Sequence, residues 1–278
     1  MAFLKPDEIA KLTTETGTKK ANLPIPSILS LGFLGGAFIS IGYLLDIRVT
    51  ASLPKDWGTF GSFLGASVFP LGLILIVLAG GELLTGNMMA VSMAFFAKKI
   101  SFGRLVNNWI WITVTNFIGA LFVAYVFGQL AGLTSDGPFL AKTAAFAQGK
   151  VSEPFWPSFF SAIGCNWLVG LALWLSYGSE EMSSKILSIW FPIMGFVAIG
   201  FQHVVANMFV IPAAIFAGQA TWSQYIQNFV PVFLGNAVGG SIFVSLLYWV
   251  AYKPYFFKEL QESELKHRKL SERRRKQL

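Results

Sequence analysis

The run GFQHVVANMFVIP, residues 200–212, places Gln202, His203 and Asn207 in the middle of an otherwise apolar stretch, and GGELLTGN, residues 80–87, interrupts an earlier stretch in the same way. Shifted by 120 residues, Glu82 falls on Gln202, Asn87 on Asn207 and Met88 on Met208; further on, Asn116 falls on Asn236 and Gly119 on Gly239. Like residues matching at one offset, spread over two pairs of apolar segments, mark an internal repeat. Around the two interruptions the chain divides into six apolar segments, 28–45, 60–96, 105–133, 155–177, 189–217 and 229–252. Each is long enough for the ~20 residues that a helix needs to cross hydrocarbon. Three segments per half is an odd number, so the second half must enter from the opposite face. The expected fold is an all-α membrane protein of six transmembrane helices, a 3+3 inverted repeat with broken second and fifth helices.

Composition agrees with this reading. Of 278 residues 54% are hydrophobic and 13% charged, and the mean hydropathy is +0.60, so the chain carries more apolar surface than a soluble domain of this length can bury. Its 27 Phe and 9 Trp suit side chains that face acyl tails and headgroups. The first 26 residues lack the apolar core and cleavage site of a targeting peptide, and the amino terminus is expected to be retained. With one cysteine, Cys165, neither an intramolecular disulfide nor a Cys-rich metal site can form, and no metal or other cofactor is expected.

A net charge of +7 could point to nucleic acid, but nine of the 21 basic residues follow the last apolar segment. That pattern reads as membrane topology and contact with anionic lipid, with no nucleic-acid partner. Counted over alternate loops, seventeen Lys and Arg fall on one side and four (Arg48, Lys55, Lys142, Lys150) on the other, so both termini are expected on the cytoplasmic side of the cell membrane. The expected organisation is a cytoplasmic segment at 1–27, a transmembrane channel domain at 28–252 and a basic cytoplasmic tail at 253–278. Within the first of these, 6–16 could be a short amphipathic helix on the membrane or a disordered tail.

Broken helices leave amides and half-helix ends that need polar company near the bilayer midplane, and amino-terminal ends carry partial positive charge that favours an anion. Kinks relieved by neighbouring helices are the alternative, but each break carries a polar cluster. His203 is the one histidine inside a span. It could donate to an anion or exchange a proton near neutral pH, or be a neutral imidazole satisfied within the bundle. Thr85 could add a hydroxyl donor opposite it, or bond its own helix backbone. Glu82, read as the sole carboxylate in an apolar segment, is expected to be structural, either protonated or receiving the freed amides. Lys150, in a loop expected outside, could draw anions to a vestibule or be a solvated surface charge, and Asn166 could donate to those anions. Phe69, Leu73, Leu83 and Phe196 could narrow a pore, though such residues commonly face lipid or pack helices. The residues therefore point to a pathway for a small monovalent anion. A neutral-solute pore of the aquaporin type would need paired Asn-Pro-Ala motifs, which do not occur. An enzyme is not expected, because an intramembrane active site would need a nucleophile or metal cluster that one His, one Cys and one Glu do not supply.

The runs FPLGLILIVLAGGELLTGN (69–87), NNWIWITVTNFIGAL (107–121) and GFQHVVANMFVIP (200–212) resemble the formate/nitrite transporter family over about residues 28–252. The resemblance implies an aquaporin-like six-helix protomer in a homopentamer, with a separate pore in each protomer. Position by position, His203 and Thr85 match the family's central pore pair, and Phe69, Leu73, Leu83 and Phe196 match its hydrophobic constrictions. Lys150 and Asn166 match the vestibule lysine and its asparagine partner, and Asn207 matches the asparagine beside the histidine. Many members have Glu immediately before the pore histidine where this chain has Gln202, which removes one influence favouring imidazolium; Glu82 and Gln202 are thus candidate modulators. Likeness to formate channels at FPLGLIL and at GALFV (119–123) makes formate the expected substrate, with proton-coupled passage assisted by His203. Nitrite and hydrosulfide are the alternatives.

Overall fold

The computed structural model describes residues 3–255; all but the first three residues of the tail expected at 253–278 lie outside the described residues. Among the described residues the chain forms ten helices, besides one tight turn at Lys55–Trp57: α1 Pro6–Ala21, α2 Ile25–Thr50, α3 Thr59–Gly80, α4 Leu84–Phe96, α5 Phe102–Leu130, α6 Gly137–Val151, α7 Phe155–Tyr177, α8 Met182–Ile199, α9 Val204–Phe216 and α10 Trp222–Tyr255. Six of them, α2, α3, α5, α7, α8 and α10, are long and apolar enough to cross a membrane, while α4 and α9 are apolar but only 13 residues long. The broken second and fifth spans are thus α3 with α4 and α8 with α9.

Local chemistry sets the boundaries. Pro24 and Pro154 stand at the starts of α2 and α7, where a missing amide costs no hydrogen bond. Thr221 and Gln224 form a reciprocal cap that starts α10 seven residues before the expected 229. The two half-spans end on Gly80 (φ 103°) and Gly200 (φ 88°), a left-handed backbone that glycine adopts at little steric cost. Helix resumes at Leu84 and Val204, so the breaks are shorter than the expected 80–87 and 200–207, and Thr85, Asn87 and Asn207 stand on helices. Span one also differs. The apolar window stops at residue 45, but α2 continues through Asp46 to Thr50, which corrects the reading of Glu82 as the sole carboxylate in an apolar segment.

The half-helices α4 and α9 form the centre of the molecule. Every residue from Leu84 to Ala94 and from Val204 to Ala214 is buried. Helix α1 buries Ile9, Ala10, Thr13 and Thr14 and brings Gly17 against the Ala90 carbonyl of α4, which makes it a packed element and not a helix resting alone on lipid. On the outside, Ile110, Val114 and Ile118 of α5 are exposed at helical spacing, the stripe a lipid-facing helix presents. Small residues bring the spans together: Gly119 of α5 lies on the Phe33 carbonyl of α2, and Gly239 of α10 on the Ile163 carbonyl of α7. A methyl group at either site would strike backbone that cannot yield. Gly119→Ala is expected to cost ~1–3 kcal/mol and to lower the melting temperature of the detergent-solubilised protein by several degrees. An unchanged transition would contradict this packing.

Candidate functional site

Buried amides and carbonyls freed by a break need partners where no water can serve, and the two breaks are served alike. Asn116 of α5 accepts from the Leu84 amide at 2.9 Å and donates to the Gly32 and Glu82 carbonyls at 2.7 and 2.8 Å. Asn236 of α10 accepts from the Val204 amide at 2.8 Å and donates to the Ala162 and Gln202 carbonyls at 2.8 and 3.0 Å. A second layer repeats too. Asn87 donates to Glu82 Oε2 and Asn108 Oδ1, and Asn207 to Gln202 Oε1 and Asn228 Oδ1, all within 3.0 Å. Asn108 then donates to the Lys20 carbonyl at 3.1 Å and Asn228 to the Lys150 carbonyl at 2.8 Å. These partners stand 120 residues apart, except Gly32 with Ala162 and Lys20 with Lys150, which stand 130 apart. The repeat therefore extends back through α2 and α7 to α1 and α6.

The symmetry fails at one pair. Glu82 Oε1 takes the Lys20 ammonium at 2.6 Å, whereas Gln202 donates Nε2 to Glu153 Oε2 at 2.7 Å, and Lys150 donates to the Gly200 and Phe201 carbonyls at 3.3 and 3.4 Å. The expectation for Glu82 is corrected accordingly. Its carboxylate is in an ion pair and receives the Asn87 amide; the backbone amides go elsewhere, Glu82 N to the Leu31 carbonyl at 2.8 Å and Leu84 N to Asn116. Burial pushes the Lys150 ammonium below the ordinary lysine value.

Where α4 and α9 meet, Thr85 Oγ1 and His203 Nε2 are 2.9 Å apart. His203 is the residue that caps α9, and its Nδ1 accepts from the Ala206 amide at 3.0 Å. An N–H aimed at Nδ1 assigns the ring proton to Nε2, so the neutral imidazole donates to Thr85. Thr85 is the second residue of α4 and has no helical turn ahead of it to bond, which is why the commoner backbone-bonded arrangement does not apply. Two helix amino termini converge on this pair, an environment that favours negative charge.

The expected apolar residues frame it. The Phe196 ring stacks on His203 at 5.7 Å between centroids and meets Phe69 edge-on at 5.7 Å, and Phe69 meets Tyr43 at 5.5 Å. On one side lies a cavity of about 340 Å³ lined by Lys150, Tyr43, Asp46, Phe69, Phe196 and His203 among others. On the other lies a cavity of about 320 Å³ whose lining includes Lys20, Glu82, Leu73 and Leu83. Between them a void of about 10 Å³ is bounded by Phe69, Leu73, Leu83, Phe196 and His203, room for about one water at most. Phe69 and Phe196 thus separate the first cavity from the void, and Leu73 and Leu83 the second.

Asn166 is placed differently from expectation. It lies on α7 behind the break, donating to the Asn236 carbonyl at 2.7 Å and the Thr85 carbonyl at 3.2 Å; the asparagine against Lys150 is Asn228. Sequence reasoning missed Asn228, although Asn108 falls on it at the same 120-residue offset. It also missed Tyr43, Asp46 and Glu153, which reach the Lys150 cavity only through the fold.

The model of the family described as "Formate/nitrite transporter" matches residues 7–250. The chain is 64% identical to YrhG of Bacillus subtilis, described as an uncharacterized transporter, over 91% of this chain and 95% of that one. It is 58% identical to the formate channel BtFdhC of Bacillus thuringiensis, over 91% of this chain and 97% of that one. A solved pentameric formate channel with formate bound superposes with a TM-score of 0.67 at 30% identity, covering 82% of this chain and 96% of its own.

Proposed function

The chain belongs to the formate/nitrite transporter family, a membrane transport family and not one of enzymes, and from that premise we propose that it is a formate channel of the cell membrane that passes its substrate as a weak acid. The observation that carries this reading is the Thr85–His203 pair, 2.9 Å apart at the convergence of two helix amino termini and walled by apolar side chains. Formic acid complements the donor and the acceptor of that pair once the two side chains part to admit it. Its carbonyl accepts from His203 Nε2–H, its hydroxyl donates to Thr85 Oγ1, and one bond is exchanged for two. A bare carboxylate would have to lose its hydration at the Phe69–Phe196 and Leu73–Leu83 closures, which is far costlier than moving the neutral acid. The 58% identity to a formate channel supports formate over nitrite and hydrosulfide.

The distribution of Lys and Arg supports an orientation with both termini cytoplasmic and the Lys150 cavity outside. Likeness to a pentameric channel supports a homopentamer, and two cavities with a void between them inside one chain support one pathway per protomer. Uptake of labelled formate into proteoliposomes, with nitrite and hydrosulfide as competitors, tests the substrate. Formate uptake that excess nitrite reduces only weakly is expected; impermeability to formate beside strong flux of a competitor would reassign it.

Lys150 concentrates the anion at the outer cavity. Lys150→Ala is expected to raise the external formate concentration for half-maximal uptake by about tenfold with little change in maximal rate. Because burial lowers the Lys150 pKa, the cation is lost at a lower pH than an ordinary lysine's. Apparent affinity should therefore weaken on the alkaline side in the wild type and hold in Lys150→Arg, whose guanidinium stays charged. Equal profiles for the two would remove Lys150 from anion capture.

A further inference from the structure

Asp46 is out of place in a cavity that has to admit an anion. It stands on α2, 4% exposed, and lines the Lys150 cavity. Its Oδ1 accepts from the Thr50 hydroxyl at 3.2 Å and fits against Gly65 of α3, where any side chain would collide with it. The groups facing it are Tyr43 on its own helix, Lys142 and Lys150 from α6, Glu153 from the turn before α7, and His203 at the start of α9. The neighbouring part of α3 offers Gly61 and Ser62, and α8 offers Phe196 and Val197, with no titratable group. Arg48 turns away, its guanidinium 3.4 Å from the centre of the Phe139 ring; on α5, Arg104 is held by Asn22, and Tyr125 packs on Phe216.

A permanent negative charge here would oppose capture by Lys150, whereas a carboxyl group that carries a proton would not, and it can give that proton up. The central histidine is poorly placed for this task, since Nδ1 holds the α9 cap and Nε2–H is already the donor to Thr85. We propose that Asp46 is the proton-exchange group of the outer cavity, protonating formate before it enters the dry constriction. The Asp46 O–H bond breaks as an O–H bond forms on a formate oxygen, leaving the Asp46 carboxylate and neutral formic acid; the acid moves on past Phe69 and Phe196, and Asp46 takes a proton back from external water. No electrons change hands. Lys142 and Lys150 hold the incoming anion and stabilise the transient Asp46 carboxylate. This proposal rests on the weak-acid channel reading above.

The test is the external pH dependence of formate uptake by proteoliposomes holding the wild type, Asp46→Asn, Asp46→Ser or Asp46→Glu. Asparagine and serine are expected to reduce uptake by about tenfold or more at pH 7.5. The deficit should close toward pH 5, where bulk solution supplies the acid ready-made, and glutamate should restore most of the neutral-pH rate. Two non-titrating variants of different size keep the test open if one fails to assemble. A deficit of the same factor at every pH, or none at any, would overturn the proposal. A wild type that takes up no formate at either pH would instead condemn the channel reading itself.

Discussion

Asn236→Ala is expected to prevent accumulation of folded protein, an effect out of proportion to the loss of one amide group. Asn236 holds the second break from three directions, through the Val204 amide and the Ala162 and Gln202 carbonyls. Alanine strands the Val204 amide and the Gln202 carbonyl in a segment with no helical partners for them, deep in the molecule. Each buried group left unpaired costs ~1–3 kcal/mol, so the total is a large share of the ~5–15 kcal/mol by which a folded domain is stable. Asn116→Ala, the counterpart at the first break, should fail in the same way. Asn107→Ala, on the exposed face of α5, should stay within about 0.5 kcal/mol of the wild type. Yield and size-exclusion profile in mild detergent measure all three, and a monodisperse Asn236→Ala protein at wild-type yield would refute the pinning role.

The second large effect is on flux. His203→Ala removes both the cap of α9 and the Nε2–H donor at the narrowest point. Loss of the cap alone is worth ~1 kcal/mol of stability, within what the fold can absorb. Loss of the donor leaves the acid to cross the apolar void with Thr85 as its sole polar partner, and formate uptake should fall about five- to 150-fold, as for an unmade hydrogen bond of ~1–3 kcal/mol in a dry site. His203→Asn separates the two roles: its Oδ1 can accept from the Ala206 amide and keep the cap, but its shorter side chain cannot reach Thr85. An assembled His203→Asn protein with uptake as low as His203→Ala is the expected outcome. Normal uptake by His203→Asn would show that the cap matters and the donor does not.

The parts of this site that were legible in the sequence share a physical reason. A polar residue in an apolar run must have a partner, and a repeat names where that partner stands; Glu82 with Gln202 and Asn87 with Asn207 located both breaks, and His203 with Thr85 followed. What was not legible depended on placement that no single stretch encodes. The relation of Lys20 to Lys150 was hidden because the offset changes from 120 to 130 between the first span and the break. Asp46 was hidden because a hydropathy window closes at the first charged residue, while α2 continues another turn beyond it. Glu153 reaches Gln202 from a turn that the fold brings alongside, so the neutral residue before the histidine has a carboxylate for a neighbour after all. Resemblance pairs Asn166 with the lysine, but the direction of its side chain, toward the Asn236 and Thr85 carbonyls, is decided by the packing of α7 on α10.

The measurement that bears most directly on the central claim is simultaneous recording of labelled formate uptake and internal pH in sealed proteoliposomes of the wild type, under an inward formate gradient at pH 5. Passage of the weak acid through the Thr85–His203 junction predicts that each formate entering brings a proton, so that internal acidification tracks uptake and both fall together in His203→Asn. Formate entering without acidification would contradict the account.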